Sequence, residues 1–266
     1  MFSPFSYQLD SSYFTEIEEY SAQGLSESKK RPGSLLSLSI SEQLFSDTAF
    51  AHQSIGRKES VIKIKTEDVL LHRDRVFNLN DVEINIVGDI QEKDSRHIIN
   101  LLTNRFTTKK IVGSDEFKMN KVTHHTEFDS SQSHIAIIIP SIARSHPDYH
   151  NLLVANYILG GSGFGSWLME EIRQKRGLSY SVYSYLSSYQ DNGYLKISLQ
   201  TKNENIELAK NIINQQINRL QEFDVEDSII ETTKDSIKRS FEMRADTNKK
   251  ILNLVSAVNS FNLNLN

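Results

Sequence analysis

The sequence predicts an α+β protein built from two units. Three observations carry that expectation. Strand-like runs are followed by groups of helical patterns, which is the α+β arrangement. A polar stretch over residues 107–133, rich in Thr, Lys, Ser and Asp, separates two such groups. The second group contains Asn192-Gly193 between two apolar runs, a hairpin signal that makes their pairing antiparallel. The expected division is 1–115 for the first unit, 116–133 for a linker and 134–266 for the second unit.

In chain order, residues 1–33 are polar and end in the loop signal Arg31-Pro32-Gly33. Phe14 to Ala22 and Leu35 to Phe45 each read as a helix, and Ala51 to Lys58 reads as a polar loop. Thr66 is the expected N-cap of a helix running to Val76, with Glu67 and Asp68 in the first turn where the helix dipole favours acids. Val82, Ile84 and Ile86 alternate with polar residues before Gly88-Asp89, the pattern of a half-buried strand ending in a turn. Ile98, Leu101, Leu102 and Phe106 recur at helical spacing.

After the polar stretch the pattern restarts. Ile135 to Ile139 reads as a buried strand, His150 to Leu159 as a buried helix, and Trp167 to Lys175 as a helix with acids early and bases late. Between the two helices, the glycine cluster Gly160 to Gly165 reads as a turn where backbones pass closely. Leu178 to Tyr185 and Gly193 to Gln200 read as paired strands with their turn at Gln190-Asp191-Asn192-Gly193. Ile206, Ala209, Ile213, Ile217 and Leu220 mark one helical face, and two helices follow over about 225–244 and 246–261.

Composition excludes whole classes of chemistry. The 266 residues contain no cysteine, so disulfides, thiolate zinc sites, iron–sulfur clusters and a cysteine nucleophile are ruled out. A net charge of −4 argues against an electrostatic nucleic-acid binder. The opening MFSPFSYQLDSSYF lacks the basic and apolar regions of a signal peptide, and no apolar run is long enough for a membrane span. The expectation is a soluble chain, with nothing to choose between periplasm and cytoplasm.

The obvious catalytic motifs fail on spacing. In GGSGFGS, residues 160–166, no Lys follows the last glycine as a phosphate loop needs, and a helix rather than a strand precedes it. His146 and His150 lie four apart, but Asp148 sits at the wrong offset for a zinc-site base and Pro147 marks a helix start. His124 and His125 fall in the polar stretch; His52, His72, His97 and His134 are isolated. No serine lies in G-x-S-x-G. One pair is more informative. Arg173 and Tyr180 flank the Arg176-Gly177 break, which puts a guanidinium near a helix end and a phenol at the start of the next strand. Facing one cleft, they offer planar donors to a peptide carbonyl or carboxylate and an O–H to a developing oxyanion. The alternative is an Arg173–Glu170 ion pair with Tyr180 partly in the core.

Asn156-Tyr-Ile-Leu-Gly-Gly161, Phe164-Gly-Ser166-Trp-Leu168, and Ile172-Arg173 followed by Gly177-Leu-Ser-Tyr180-Ser181 are fixed in order and spacing. This run resembles the second, non-zinc half of the pitrilysin/insulinase family of zinc metallopeptidases. Leu44-Phe45, Thr66-Glu-Asp-Val69, Val87-Gly-Asp89 and Asp148-Tyr149 extend the resemblance over most of 35–220. It implies two related units of antiparallel sheet covered by helices, a LuxS/mitochondrial processing peptidase-like clamshell expected here to be incomplete at both ends. It implies that Arg173 and Tyr180 hold substrate and support the transition state, while zinc and its base sit on another domain or subunit bearing H-x-x-E-H. That motif occurs nowhere in this sequence. Glu18 and Glu19 lie near the place of a third ligand, where the register puts Gly24. The implied partners are the H-x-x-E-H half and an unfolded peptide that adds as a strand to a sheet edge. The competing readings are a catalytically dead scaffold and a peptide-binding module without hydrolysis.

Overall fold

The computed structural model describes residues 30–52, 56–76, 82–104, 117–243 and 245–263, with 16, 17, 19, 20, 23, 24, 26, 27 and 79 besides. The helix expected over Phe14 to Ala22 lies largely outside the described residues, as do Phe106 and the first part of the 107–133 stretch. The described residues fall into two compact units, one drawn from 1–84 and 91–126, the other from 85–90 and 127–266.

In the first unit, α1 (Pro32–Ser39) continues through a π-helical turn, Ile40–Leu44. It starts three residues before the expected Leu35, because proline suits the first helical position, where the N–H it lacks would have no partner. Leu44 and Phe45 are buried. Phe45, Phe50 and Phe117 form a ring cluster with centroids 5.2–5.9 Å apart. Thr48 braces it: its hydroxyl donates to the Phe45 carbonyl at 2.8 Å and accepts from the Phe50 N–H at 3.2 Å. Asn120 ties on from the far side, its N–H donating to the Leu44 carbonyl at 2.8 Å. A short helix α2 (Lys58–Val61) precedes α3 (Thr66–Val76), and α4 (Glu92–Thr103) follows. Thr66 is the first helical residue of α3 rather than its cap. The capping contact comes from Asp68, whose carboxylate accepts from the Lys65 N–H at 2.8 Å.

The strand expected at Val82, Ile84 and Ile86 does not form: residues 82–87 belong to no ladder among the described residues. Alternation supplies one strand's side-chain pattern, but a strand exists only when a neighbour completes its hydrogen bonds. Val82 and Ile86 accordingly remain exposed.

The second unit is a three-stranded antiparallel sheet, β1 (Gln132–Ile142), β2 (Val182–Ser188) and β3 (Asn192–Lys202), in the order β1-β3-β2. β1 extends well beyond Ile135 to Ile139. As an edge strand it is half-buried rather than buried. β3 alternates strictly, with Gly193, Leu195, Ile197, Leu199 and Thr201 on the buried face. Against that face pack α5 (Tyr149–Asn156), its π-helical continuation Tyr157–Gly161, the helical segment Trp167 to Gln174, and α6 (Ile206–Gln221). Leu159, Leu168, Ile172, Val182, Ile197 and Ile213 are the fully buried side chains at the centre. The expected face of α6 gains Ile212 and Gln216. α7 (Asp227–Glu242) and α8 (Asn248–Ser260) complete the unit close to their expected positions.

Two glycines have roles set by close approach. Asn192-Gly193 is not the hairpin turn. The Tyr189 N–H donates to the Asn192 carbonyl at 2.7 Å, so the turn residues are Gln190 and Asp191. Gly193 already lies in the central strand, where a Cβ would meet the Ser187 and Ile142 carbonyl oxygens at 2.6 and 2.9 Å. Gly160 lets the π-helical turn rest on β2. A Cβ there would lie 2.7 Å from the Ser184 backbone nitrogen and 2.6 Å from its hydroxyl. At this crossing the Ser184 hydroxyl donates to Asn156 Oδ1 at 2.7 Å, so both buried polar groups are paired.

The end of the Trp167–Gln174 segment is closed by charge. Lys175 reaches Glu170 at 2.8 Å and Glu171 at 2.6 Å, and Arg176 reaches Glu171 at 2.5 Å. Hydrogen bonds from Lys175, then from Arg176, hold the Glu171 carboxyl below the usual carboxylate range. Lys175 is correspondingly raised by Glu170 and Glu171.

Two expectations follow for stability. Gly160→Ala is expected to cost on the order of 2–3 kcal/mol, the usual cost of forced overpacking, in urea denaturation. Gly88→Ala, with nothing within 4 Å of the new Cβ, is expected to stay within about 0.5 kcal/mol of wild type. A folded-state carboxyl pKa below its unfolded value stabilises fully above the unfolded value, near 4.5 for Glu171, and loses that contribution as pH falls through the folded value. The Tm advantage of wild type over Glu171→Gln should therefore be constant above about pH 5.5 and shrink below it; an advantage that grows on acidification would refute the pairing.

Candidate functional site

The described residues converge on one distinctive arrangement, at the end of the Trp167–Gln174 segment. Trp167, Leu168, Met169 and Ile172 anchor that segment in the core. Ser166, fully buried, fixes its start: the hydroxyl donates to the Gly163 carbonyl at 2.7 Å and accepts from the Met169 N–H at 3.4 Å. Gly177 ends it in the left-handed conformation, φ 62°, with its N–H on the Arg173 carbonyl at 3.0 Å. The chain then turns through Leu178 and Ser179 into β2. Ser179 is held by hydrogen bonds to the Ser181 and Gln200 carbonyls, both 2.7 Å. Those constraints place Tyr180 beside Arg173.

The Arg173 guanidinium carbon sits 4.6 Å from the Tyr180 ring centroid and 4.5 Å from that of Phe164. The cation lies within cation–π distance of both aromatic rings, contacts that suit the planar guanidinium. The Arg173–Glu170 ion pair weighed from the sequence is absent. Glu170 is taken by Lys175, and among the described residues no carboxylate pairs with Arg173. Nor is Tyr180 partly in the core, at 84% exposed. Its hydroxyl and the guanidinium N–H groups are thus donors held side by side without a neutralising acid. Phe164 is the partner that spacing alone did not reveal. It belongs to the F-x-S-x-L run, but nothing in that pattern says its ring turns toward Arg173. The Phe164 carbonyl accepts from Gln174 Nε2 at 3.0 Å, which holds the loop over the helix end.

The other sequence candidates do not assemble into a site. Gly163 to Gly165 form a single 3-10 turn, and the preceding glycines serve packing against Ser184 and Asn156. The Asp148 N–H donates to His146 Nδ1 at 3.1 Å, and the His150 ring stands edge-on to Tyr149. His124 Nε2 lies 3.0 Å from the Thr126 hydroxyl. Among the described residues no three His, Asp or Glu side chains converge into a set that could hold a metal ion. Zinc does not fit the donors present among the described residues. Among those residues, too, no helix is long and apolar enough to cross a membrane.

Comparison with known proteins bears on the family and the fold. The profile of the peptidase M16 inactive domain matches residues 63–237. A Helicobacter pylori protein named non-peptidase homolog YmxG is 32% identical over 195 residues, 70% of this chain and 44% of that relative. A Bacillus subtilis protein named uncharacterized zinc protease YmxG is 24% identical over 215 residues, 80% of this chain and 52% of that one. The crystal structure of a peptidase M16 inactive domain from Pseudomonas fluorescens superposes with a TM-score of 0.89 at 27% identity, covering 97% of this chain and 62% of that one. A Helicobacter pylori protease structure shares the fold, with a TM-score of 0.84 at 16% identity over 96% of this chain and 64% of that one. The chain spans about half the length of the curated relatives it matches. With its small antiparallel sheet under helices, its Asn156 to Ser181 run and the profile match across both units, the chain belongs to the peptidase M16 inactive-domain family.

Proposed function

We propose that this chain is the non-catalytic half of a zinc metalloendopeptidase of the insulinase/pitrilysin type. It binds an extended peptide and presents Arg173 and Tyr180 to a zinc site carried by another domain or subunit. The observation behind the reading is the Phe164–Arg173–Tyr180 cluster: a guanidinium within cation–π distance of two rings, unpaired with any described carboxylate, next to an exposed phenol. Arg173 donates to a peptide carbonyl or carboxylate, and the Tyr180 O–H donates to the oxygen that gains charge as the peptide bond is attacked. Zinc and a glutamate base on the H-x-x-E-H partner activate the water. Tyr180 stands two residues before β2, an edge strand to which an extended peptide adds by backbone pairing. In this reading residues 1–115 are the latter part of a first peptidase-like domain, 116–133 a linker and 134–266 the second, non-zinc domain.

A second reading, a catalytically dead scaffold, is favoured by one observation: the Helicobacter pylori relative is named a non-peptidase homolog.

The two readings separate in reconstitution with an H-x-x-E-H-bearing homologous half, monitored by zinc content and cleavage of an unstructured fluorogenic peptide. Arg173→Ala is expected to lower kcat/KM about 10- to 100-fold and Tyr180→Phe about tenfold, in the range of lost oxyanion donors, with zinc content unchanged. Turnover unaltered in both variants rejects the assigned roles. A stable complex that cleaves nothing at any zinc loading selects the scaffold.

A further inference from the structure

The face of the sheet opposite the helices is not used by the Arg173–Tyr180 arrangement. Strict alternation along β3 puts Tyr194, Lys196, Ser198 and Gln200 on that face, and the strand register sets Ile138 and Tyr185 beside Lys196, with Tyr183 beside Ser198. Tyr183 and Tyr185 are exposed, 50% and 38%. The Lys196 ammonium lies 5.9 Å from the Tyr185 ring centroid, and among the described residues no carboxylate pairs with it. Every outward position of the three strands is uncharged or basic. No Asp or Glu occurs among them, although acids outnumber bases 34 to 30 in the whole chain. Tyr189 and Tyr194 close one end of the patch, their centroids 6.3 Å apart. Burial and Tyr194 push Tyr189 up to about 12, and burial raises Tyr185, so these phenols remain neutral hydrogen-bond donors at physiological pH. An acid directly across the strand would form a stabilising pair with Lys196. Here the acid is missing, and the cation is flanked by Ile138 and the Tyr185 ring.

We infer that this face selects acidic extended peptides, receiving Asp or Glu side chains at Lys196 and apolar or aromatic side chains on Tyr183 and Tyr185. The inference rests on the peptide-binding reading above and specifies which peptides. A peptide strand added along the outer side of β2 stands two strand spacings from β3, about 10 Å. A Glu side chain and the Lys196 stem together span that distance across the Tyr185 ring. Along such a strand alternate side chains point to this face, so acids at every second position engage it. On that side the Val182 N–H donates to Met169 Sδ at 3.5 Å and Gly160 rests on Ser184, while among the described residues no backbone hydrogen bond reaches the later part of β2, 185–188, which is the part of the edge left for such a strand.

The test uses the full chain and three unstructured decapeptides, identical except for Glu, Gln or Lys at alternate positions, with binding followed by fluorescence anisotropy. The Glu peptide is expected to bind about tenfold more tightly than the Lys peptide, with the gap narrowing as salt is raised. Lys196→Gln should remove most of the preference and Lys196→Glu should reverse it; circular dichroism verifies folding, and the Gln variant suffices if the Glu variant does not fold. Arg173→Ala should weaken all three peptides alike and leave their ratio intact. Equal binding of the three peptides, or a preference unmoved by either Lys196 variant, overturns the inference while peptide binding itself stands. If none of the three binds, both fail.

Discussion

The second unit is organised by one close contact, the seating of Gly160 on Ser184. The turn comes this close because Gly160 has no side chain and Ser184 only a small one, and the Asn156–Ser184 hydrogen bond satisfies the polar groups that the contact buries. Once β2 is pinned at Ser184, the depth of the sheet under α5 is fixed. The Trp167–Gln174 segment then has only one groove to fill, which it does with Leu168 and Ile172, both wholly buried. Its last turn must end where Gly177 can reverse the chain into β2. Arg173 and Tyr180 meet because these steps leave no freedom in the length of the connection. The position of the donors is thus a property of core packing, although the donors themselves contribute little to that packing.

Charge is distributed around this frame in a way that keeps Arg173 available. A guanidinium with a glutamate at i−3, as Arg173 has in Glu170, would ordinarily pair with it. Lys175 pre-empts that pair by binding Glu170, and with Arg176 it also binds Glu171 on the other side of the helix end. The Phe164 and Tyr180 rings then offer the cation an attractive surface that does not neutralise it. The Lys175 and Arg176 side chains of these pairs stay largely in solvent while Glu171 is half-buried, so each pair contributes modestly to stability. Their collective effect is on which donors remain unspent.

What could be read from the sequence follows the range of the interactions involved. The hydrophobic spacing of Ile206 to Leu220 and the alternation in Gly193 to Gln200 report local periodicity, and both elements form where that periodicity places them. Leu168 and Trp167 after the glycine cluster likewise belong to a helical segment that packs into the core. The misreadings involve partners distant in sequence. Val82, Ile84 and Ile86 have a strand's alternation and no neighbour to pair with among the described residues. Asn192-Gly193 has a turn's composition, but Gly193 is there because Ile142 and Ser187 crowd it from the two flanking strands. For the candidate site, the Arg173–Tyr180 proximity was legible from the short connection between them. Phe164 was not, since the direction of its ring depends on how the loop is tied to Gln174.

The basic, tyrosine-lined face of the sheet runs along the same short strand that Arg173 and Tyr180 precede, with Tyr183 and Tyr185 within β2 and Tyr189 just after it. Their shared property is an excess of donors over acceptors. A folded domain normally balances the two within itself, because a buried donor without an acceptor costs free energy. Exposed donors carry no such penalty, since water serves them, so a surface can accumulate them at little cost to stability. An extended peptide brings the complement: carbonyls along its backbone and, where its sequence allows, carboxylates on alternate side chains. Hydrogen bonds to its backbone are indifferent to sequence, whereas the role inferred for Lys196 is a response to charge. In the proposed reading, a strand-binding surface of this kind accepts many peptides in one geometry and ranks them by electrostatics, which separates the requirement for an extended chain from the choice among extended chains.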